Sequence, residues 1–289
     1  MTTGAYADVA SRLAEATGVL LGLDFDGTLA PIADDPDTPT ITPAARRVVT
    51  RFVGSSRATV AVISGRELAD LRPRVGLDEI VYAGNHGLEL ARGDESVIHP
   101  AADRCRPRLR RALDHIRERL AGVPGWQLED KGVTATVHVR HTPACRVGEV
   151  RSAVEAAARM AEGELRLTAG KQVFELRPAV DWDKGTAVRF LSDEVPDGWV
   201  TVCLGDDITD EDAFQAVLPD GIAVHVGPRR QTAAPYRLPA QDAVAPFLEW
   251  VADRAPTPRH LQGRTTSTDP HPRPKGFVRS YHDSAEESL

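Results

Sequence analysis

Two aspartates, Asp24 and Asp26, stand two residues apart where the apolar run Val19–Leu23 gives way to Gly27-Thr28. At the end of a strand both carboxylates project into one crevice. One can attack an electrophile while its neighbour gives or takes a proton, and Gly27 lets the backbone approach an anion closely. Asp-Gly alone is common turn chemistry, so the pair acquires meaning from its partners. Ser64-Gly65-Arg66 follows the run Thr59–Ile63 and places a hydroxyl and a bare backbone N–H near the start of a helix, a ready phosphate site; Arg66 is grouped with Ser64 and Gly65 there. Lys184, in Asp183-Lys184-Gly185, opens a helix running to Leu191, where a cation is disfavoured by roughly 0.3–1 kcal/mol. A phosphate held between Lys184 and Asp24 accounts for that placement. After the run Val200–Leu204 come Asp206, Asp207, Asp210, Glu211 and Asp212, hard oxygen ligands that suit Mg²⁺. Acids also suit a helix N-terminus, so Asp206 ranks first as a ligand, and the choice between Asp207 and Asp210 stays open.

The set fits phosphoryl transfer. Hydrolysis of a phosphate monoester is among the slowest uncatalysed reactions in water, and enzymes supply up to ~10²¹-fold. Most of that is positioning and charge neutralisation. Asp24 as nucleophile divides the displacement into two steps through an acyl-phosphate. Mg²⁺ is expected to bridge Asp24 and a phosphate oxygen, with Lys184 and Ser64 on the others. Asp26 would protonate the leaving alcohol, then activate the water that attacks the phospho-aspartate.

These elements need a scaffold that brings strand ends together. The runs Val19–Leu23, Thr59–Ile63, Ile80–Tyr82, Val200–Leu204 and Ile222–Val226 alternate with helical patterns and read as buried parallel strands, whose carboxyl ends are where such sheets bind ligands. Between 102 and 176 the texture changes. Leu109, Leu113, Ile116 and Leu120 mark one helical stripe, and Val147, Val150 and Val154 another. Trp126–Lys131 with Val133–Arg140, and Glu164–Ala169 with Gln172–Arg177, read as strand pairs joined at Lys131-Gly132 and Gly170-Lys171. The fold class expected is therefore α/β, a core with a parallel sheet over 1–101 and 177–255, carrying an inserted α+β domain over 102–176. Residues 256–289, rich in Pro, Thr, His, Arg and Ser, bury too little to order and read as a disordered tail.

Composition narrows the partners. A net charge of −7 over 289 residues argues against nucleic acid or an anionic membrane. No apolar run approaches the roughly 18 residues of a span, and Met1 to Gly18 has no basic start followed by an apolar core; a cytoplasmic monomer is expected. Cys105, Cys145 and Cys203 lack metal-ligand spacing and read as buried free thiols in a reducing compartment.

The four motifs, at Asp24/Asp26, Ser64, Lys184 and Asp206/Asp207, resemble the haloacid dehalogenase superfamily. With Gly84-Asn85-His86-Gly87, Leu128-Glu129-Asp130-Lys131-Gly132 and Lys171-x-x-x-Glu175-Leu176-Arg177-Pro178, the chain is similar to trehalose-6-phosphate phosphatases from Gly18 to Asp253. The resemblance implies a Rossmann-like haloacid dehalogenase core and a metal site of Asp24, Asp26, Asp206 and Asp207. It also implies a cap that closes over a sugar, with Asn85, His86, Glu129, Lys131, Lys171 and Glu175 as substrate-binding residues for a sugar phosphate. A capped phosphatase for another sugar phosphate, such as sucrose 6-phosphate or a mannosyl phosphate, remains an alternative. So does a receiver-like module without turnover, although such a module has no use for Asp26 as an acid.

Overall fold

The computed structural model describes residues 1–33, 35, 38–170, 172–228, 231–256 and 281. The chain divides into one compact unit of Met1–Val97 with Trp182–Tyr281 and a second beginning at Ile98 and running to Asp181. The insertion thus begins and ends a few residues outside the 102–176 expected from texture.

The first leg runs α1 (Thr3–Glu15), β1 (Gly18–Leu23), α2 (Pro43–Phe52), β2 (Ala58–Ile63), α3 (Leu68–Val75), β3 (Val81–Gly84), β4 (Glu89–Arg92) and β5 (Glu95–Ile98). The insertion supplies α4 (Pro100–Arg119), β6 (Gln127–Asp130), β7 (Ala135–His138), α5 (Val147–Met160), β8 (Leu165–Gly170) and β9 (Val173–Pro178). The return leg is α6 (Lys184–Asp193), β10 (Trp199–Gly205), α7 (Asp210–Val217), β11 (Ile222–Val226), β12 (Tyr236–Leu238) and α8 (Val244–Ala252).

In the first unit the sheet order is β12-β11-β10-β1-β2-β3-β4-β5. Every pair from β12 to β3 is parallel, and β3–β4 is antiparallel. All six residues of β1 are buried, as a strand covered on both faces must be. Val19, Leu21 and Leu23 join α2 and α8 in one core. Gly22 faces the other way, where an added Cβ would lie 3.0 Å from Cys203 Sγ and 3.8 Å from Val188 of α6. Register sets the site: Leu23 is level with Leu204 of β10 and Val62 of β2. The residues that follow these strands therefore leave the sheet side by side.

The hairpin β4–β5 and the short β12 were not expected. Glu89, Arg92 and Glu95 interrupt the apolar alternation there, and pairing at a sheet edge supplies what the local pattern lacks.

In the second unit the order is β6-β7-β9-β8, with every pair antiparallel. Leu109, Leu113 and Ile116 of α4 and Val150 and Val154 of α5 pack on Ala135, Val137, Phe174 and Leu176. Residues one step away in each strand face the opposite side: Glu129, Thr136, Glu175 and Thr168 form one cross-strand row.

Two expectations are corrected. Cys105 and Cys203 are buried free thiols, but Cys145 is exposed in the short turn Ala144–Arg146, which contributes no buried residue. Of the expected tail, 257–280 and 282–289 lie outside the described residues, whereas Tyr281 is fully buried. Its ring stands edge-on to Trp182 and Phe190 at 5.2 and 5.4 Å, so that position is packed rather than solvated. Among the described residues no helix is long and apolar enough to cross a membrane.

Candidate active site

Asp24 is the first residue past β1, and its N–H donates to Leu204 O at 2.9 Å, continuing the pairing with β10. The chain then turns sharply: Leu29 and Ala30 N–H both return to Phe25 O, at 2.9 and 2.8 Å. Gly27 has φ +82°, and a Cβ there would lie 2.3 Å from Asp206 Oδ2. Only glycine meets both demands, and the Asp206 carboxylate thereby lies against the Asp24–Thr28 turn.

Lys184 opens α6, whose N-cap Asp183 accepts from Thr186 N–H at 2.8 Å. Its ammonium donates to Asp24 Oδ1 and to Asp210 Oδ1, both at 2.7 Å. Asp24, Lys184 and Asp210 are 7%, 4% and 2% exposed, so these bonds form away from water, where an unpaired charge is costly. The other Asp210 oxygen accepts the N–H groups of Asp206 and Asp207, at 3.0 and 2.9 Å, and ties down the loop after β10.

Asp24, Asp206 and Asp210 each bring a carboxylate oxygen within 4.8 Å of the other two. Three carboxylates against the Lys184 ammonium leave the group two positive charges short. Burial pushes the Asp24 carboxyl well above its usual range, with Asp210 and Asp206 adding to the rise and Lys184 opposing it. Burial disfavours the Lys184 ammonium, but Asp210 and Asp24 outweigh it and raise its pKa. A hard divalent cation fits this donor set and charge. Of the expected ligands Asp24, Asp26, Asp206 and Asp207, with Asp207 open against Asp210, this group contains Asp24 and Asp206. Asp210 is the one brought into the group, while Asp207 is exposed and Asp26 turns elsewhere. The four-residue step from Asp206 to Asp210, spanning the loop and the first turn of α7, was the available signal.

Asp26 faces Arg66 in a two-pronged pair at 2.7 and 2.8 Å. Arg66, expected on phosphate, thus places its guanidinium on carboxylates, including Asp70 at 2.7 Å. Ser64 is buried, and its Oγ accepts Arg66 N–H at 3.1 Å.

The loop after β3 rests on the loop after β2: Asn85 N–H donates to Arg66 O at 2.7 Å and His86 N–H to Ser64 O at 2.8 Å. Asn85 and His86 are buried with φ of 48° and 59°. A Cβ on Gly65 would lie 2.8 Å from the His86 ring, so the two loops require glycine at their contact. Asn85 Nδ2 donates to Glu89 Oε2 at 2.9 Å, and the same oxygen accepts Leu68 N–H at 3.0 Å. Glu89, unnoticed in the sequence, therefore braces Asn85. Gly87 O accepts from Trp182 Nε1 at 2.9 Å and Tyr281 OH at 2.7 Å.

In the second unit Glu129 contacts His138 Nε2 at 2.9 Å and Lys131 Nζ at 3.7 Å. Glu175 shares its sheet face through the row with Thr136. His138 and Thr136 escaped the sequence reading because a single polar residue in a short strand carries no pattern. Lys171 lies outside the described residues.

A family model described as trehalose-phosphatase matches residues 22–242. The trehalose-phosphate phosphatase of Mycobacterium marinum is 42% identical over 243 residues, covering 81% of this chain and 61% of that protein. The chain therefore spans about three fifths of the length of the curated relative it matches. The Aspergillus fumigatus trehalose-6-phosphate phosphatase structure in its third crystal form aligns with a TM-score of 0.64 at 26% identity, covering 86% of this chain and 98% of that one. The C-terminal domain of C. albicans trehalose-6-phosphate phosphatase shares the fold, with a TM-score of 0.71 at 24% identity and coverage of 86% and 96%. With the match extending from β1 to the end of the first unit's sheet, this chain belongs to the trehalose-phosphatase family.

Proposed function

We propose that this chain hydrolyses trehalose 6-phosphate to trehalose and inorganic phosphate, with Mg²⁺ as cofactor. The observation that carries the reading is the buried Lys184 ammonium held between Asp24 and Asp210, with Asp206 against Gly27 at the same strand ends. Asp24, Asp206 and Asp210 would hold the cation, which when bound supplies the missing positive charge and neutralises phosphoryl oxygens.

Asp24 attacks phosphorus in line with the ester oxygen. The P–O bond to the sugar breaks as the P–O bond to Asp24 forms, and Asp26 gives its proton to the leaving alkoxide. Water then attacks the acyl-phosphate, its proton passes to Asp26, and Asp24 is freed with phosphate. Ser64 and the Gly65 N–H offer donors to the phosphoryl oxygens, and Lys184 balances their charge. Glu129, Lys131 and Glu175 offer donors and acceptors to the sugar hydroxyls. Three unbridged cysteines suit a reducing, cytoplasmic setting.

Asp24→Asn should lose Mg²⁺-dependent phosphate release and keep its circular dichroism spectrum. Retained release refutes the nucleophile. A panel including sucrose 6-phosphate and mannose phosphates tests the sugar: faster release from another member refutes trehalose 6-phosphate and leaves the chemistry standing.

A further inference from the structure

Arg66 projects from the loop between β2 and α3, and its guanidinium is mounted among carboxylates. Nε donates to Asp26 Oδ2 at 2.7 Å, Nη2 to Asp26 Oδ1 at 2.8 Å and Nη1 to Asp70 Oδ2 at 2.7 Å. Arg74 Nε in turn donates to Asp70 Oδ1 at 2.7 Å, and Arg74 Nη1 to Pro39 O at 3.0 Å. The guanidinium carbon lies 5.6 Å from the centre of the Phe25 ring. The side chain of Arg66 is 13% exposed and that of Asp26 37%. Partly exposed ion pairs contribute little to stability, and Asp70 already has Arg74, so tying α3 to the sheet does not account for a planar fork on both oxygens of Asp26.

We propose that Arg66 is a positioning residue for the reaction: its fork fixes the orientation of the Asp26 carboxyl group rather than gripping phosphate. The proposal rests on the role of Asp26 as proton donor and acceptor. A carboxylate accepts through about four lone-pair sites. The fork occupies one on each oxygen, stops rotation about the Cβ–Cγ bond, and leaves a site on each oxygen for the leaving group or water. Arginine suits this because it does not exchange its own proton and its N–H groups have fixed geometry. The Asp70–Arg74 pair holds the third corner of the fork, so the orientation is set from α3 and not from the mobile end of a long side chain.

The test compares wild type, Asp26→Asn, Arg66→Ala, Arg66→Lys and the double variant Asp26→Asn/Arg66→Ala on trehalose 6-phosphate and on 4-nitrophenyl phosphate. A well-placed general acid contributes about 10²–10⁴-fold. Misorienting it through Arg66→Ala should lower kcat/KM for trehalose 6-phosphate by about 10–100-fold, chiefly through kcat. Nitrophenolate leaves without protonation, so the loss of kcat/KM on that substrate should be much smaller. Inhibition by inorganic phosphate should be unchanged. Arg66→Lys keeps the charge without the fork and should recover little. In the Asp26→Asn background Arg66→Ala should cost nothing further, because the two residues act as one unit.

Equal losses on both substrates with a raised KM and weaker phosphate inhibition would overturn the proposal in favour of a phosphate grip. So would additive losses in the double variant, or wild-type turnover in both Arg66 variants. If Arg66→Ala does not fold, Asp70→Asn releases the outer arm and is judged by the same contrast between substrates. An active Asp26→Asn enzyme refutes the role of Asp26 itself, whereas an inert one beside a wild-type-like Arg66→Ala refutes only the positioning role.

Discussion

Lys184→Ala removes the ammonium that balances the buried cluster. Two contacts of 2.7 Å are lost, each worth about 6 kcal/mol of attraction at an effective dielectric of ~20 before the cost of desolvation. Most of that gain offsets the burial of the three groups, and removing one partner from a buried pair costs about 3–5 kcal/mol net. For a unit of this size the unfolding midpoint should fall by roughly 10 °C. Trp182, Trp199 and Trp250 all belong to the first unit, so intrinsic fluorescence melts follow it in preference to the second, and chelator keeps cations out. The sign with pH follows from the raised Asp24 carboxyl. The folded state takes up a proton at this group more readily than the unfolded chain, so its contribution is present below the ordinary value of 3.8 and lost as pH rises through the higher folded value. Loss of Lys184 raises that folded value further, so the variant should suffer most near pH 8 and least near pH 5. An unchanged midpoint at pH 8, or an equal loss at both pH values, would refute the charge balance drawn for the cluster.

Gly27→Ala combines φ +82° with a Cβ 2.3 Å from Asp206 Oδ2. It should weaken Mg²⁺ binding by about tenfold or more in calorimetric titration, and unaltered affinity would show that Asp206 is not held by this turn. Glu175→Ala should raise KM for trehalose 6-phosphate by about tenfold, about 1.4 kcal/mol, and leave 4-nitrophenyl phosphate turnover intact; equal effects would place Glu175 outside sugar recognition. Tyr281→Ala removes a buried ring beside Trp182 and Phe190 and should cost the first unit about 3 kcal/mol in denaturant titration, whereas no change would mean that the contact carries no stability.

The core sheet was legible because its strands are largely buried and announce themselves as short runs rich in Val, Ile and Leu; Ile222–Val226 keeps its expected bounds, and β1 extends by only Gly18. The helices of the insertion were legible through Leu109, Leu113 and Ile116 at helical spacing. The edge hairpin Glu89–Ile98 was not, because edge pairing needs little apolar pattern. Tyr281 was hidden by its polar, proline-rich neighbours, since composition averages over a window and a single aromatic residue does not move the average. In the site, residue type and strand-end position brought Asp24, Asp206 and Lys184 forward. The partner of each cation was not written in spacing. Asp210 against Asp207, and Arg66 on Asp26, depend on which loop reaches which, and that is decided by the level ends of β1, β2 and β10.

Asp24 and Asp26 illustrate what that level edge does. Two residues apart in sequence, they look interchangeable as acids, yet the turn after Asp24 delivers them to different neighbours. Asp24 meets the ammonium that opens α6 and the carboxylates of the β10 loop. Asp26 meets the guanidinium fork from the β2 loop. A nucleophile needs a small, shareable cation beside a site for another, because its charge must be neutralised as it attacks an anion. A proton carrier needs fixed direction more than neutralisation, which a planar fork supplies and a point charge does not. Lysine beside Asp24 and arginine beside Asp26 are therefore not equivalent choices. With Asp24 proposed as nucleophile and Asp26 as proton carrier, exchanging them as Lys184→Arg with Arg66→Lys keeps the net charge and should abolish Mg²⁺-dependent phosphate release; retained release would refute this division of roles.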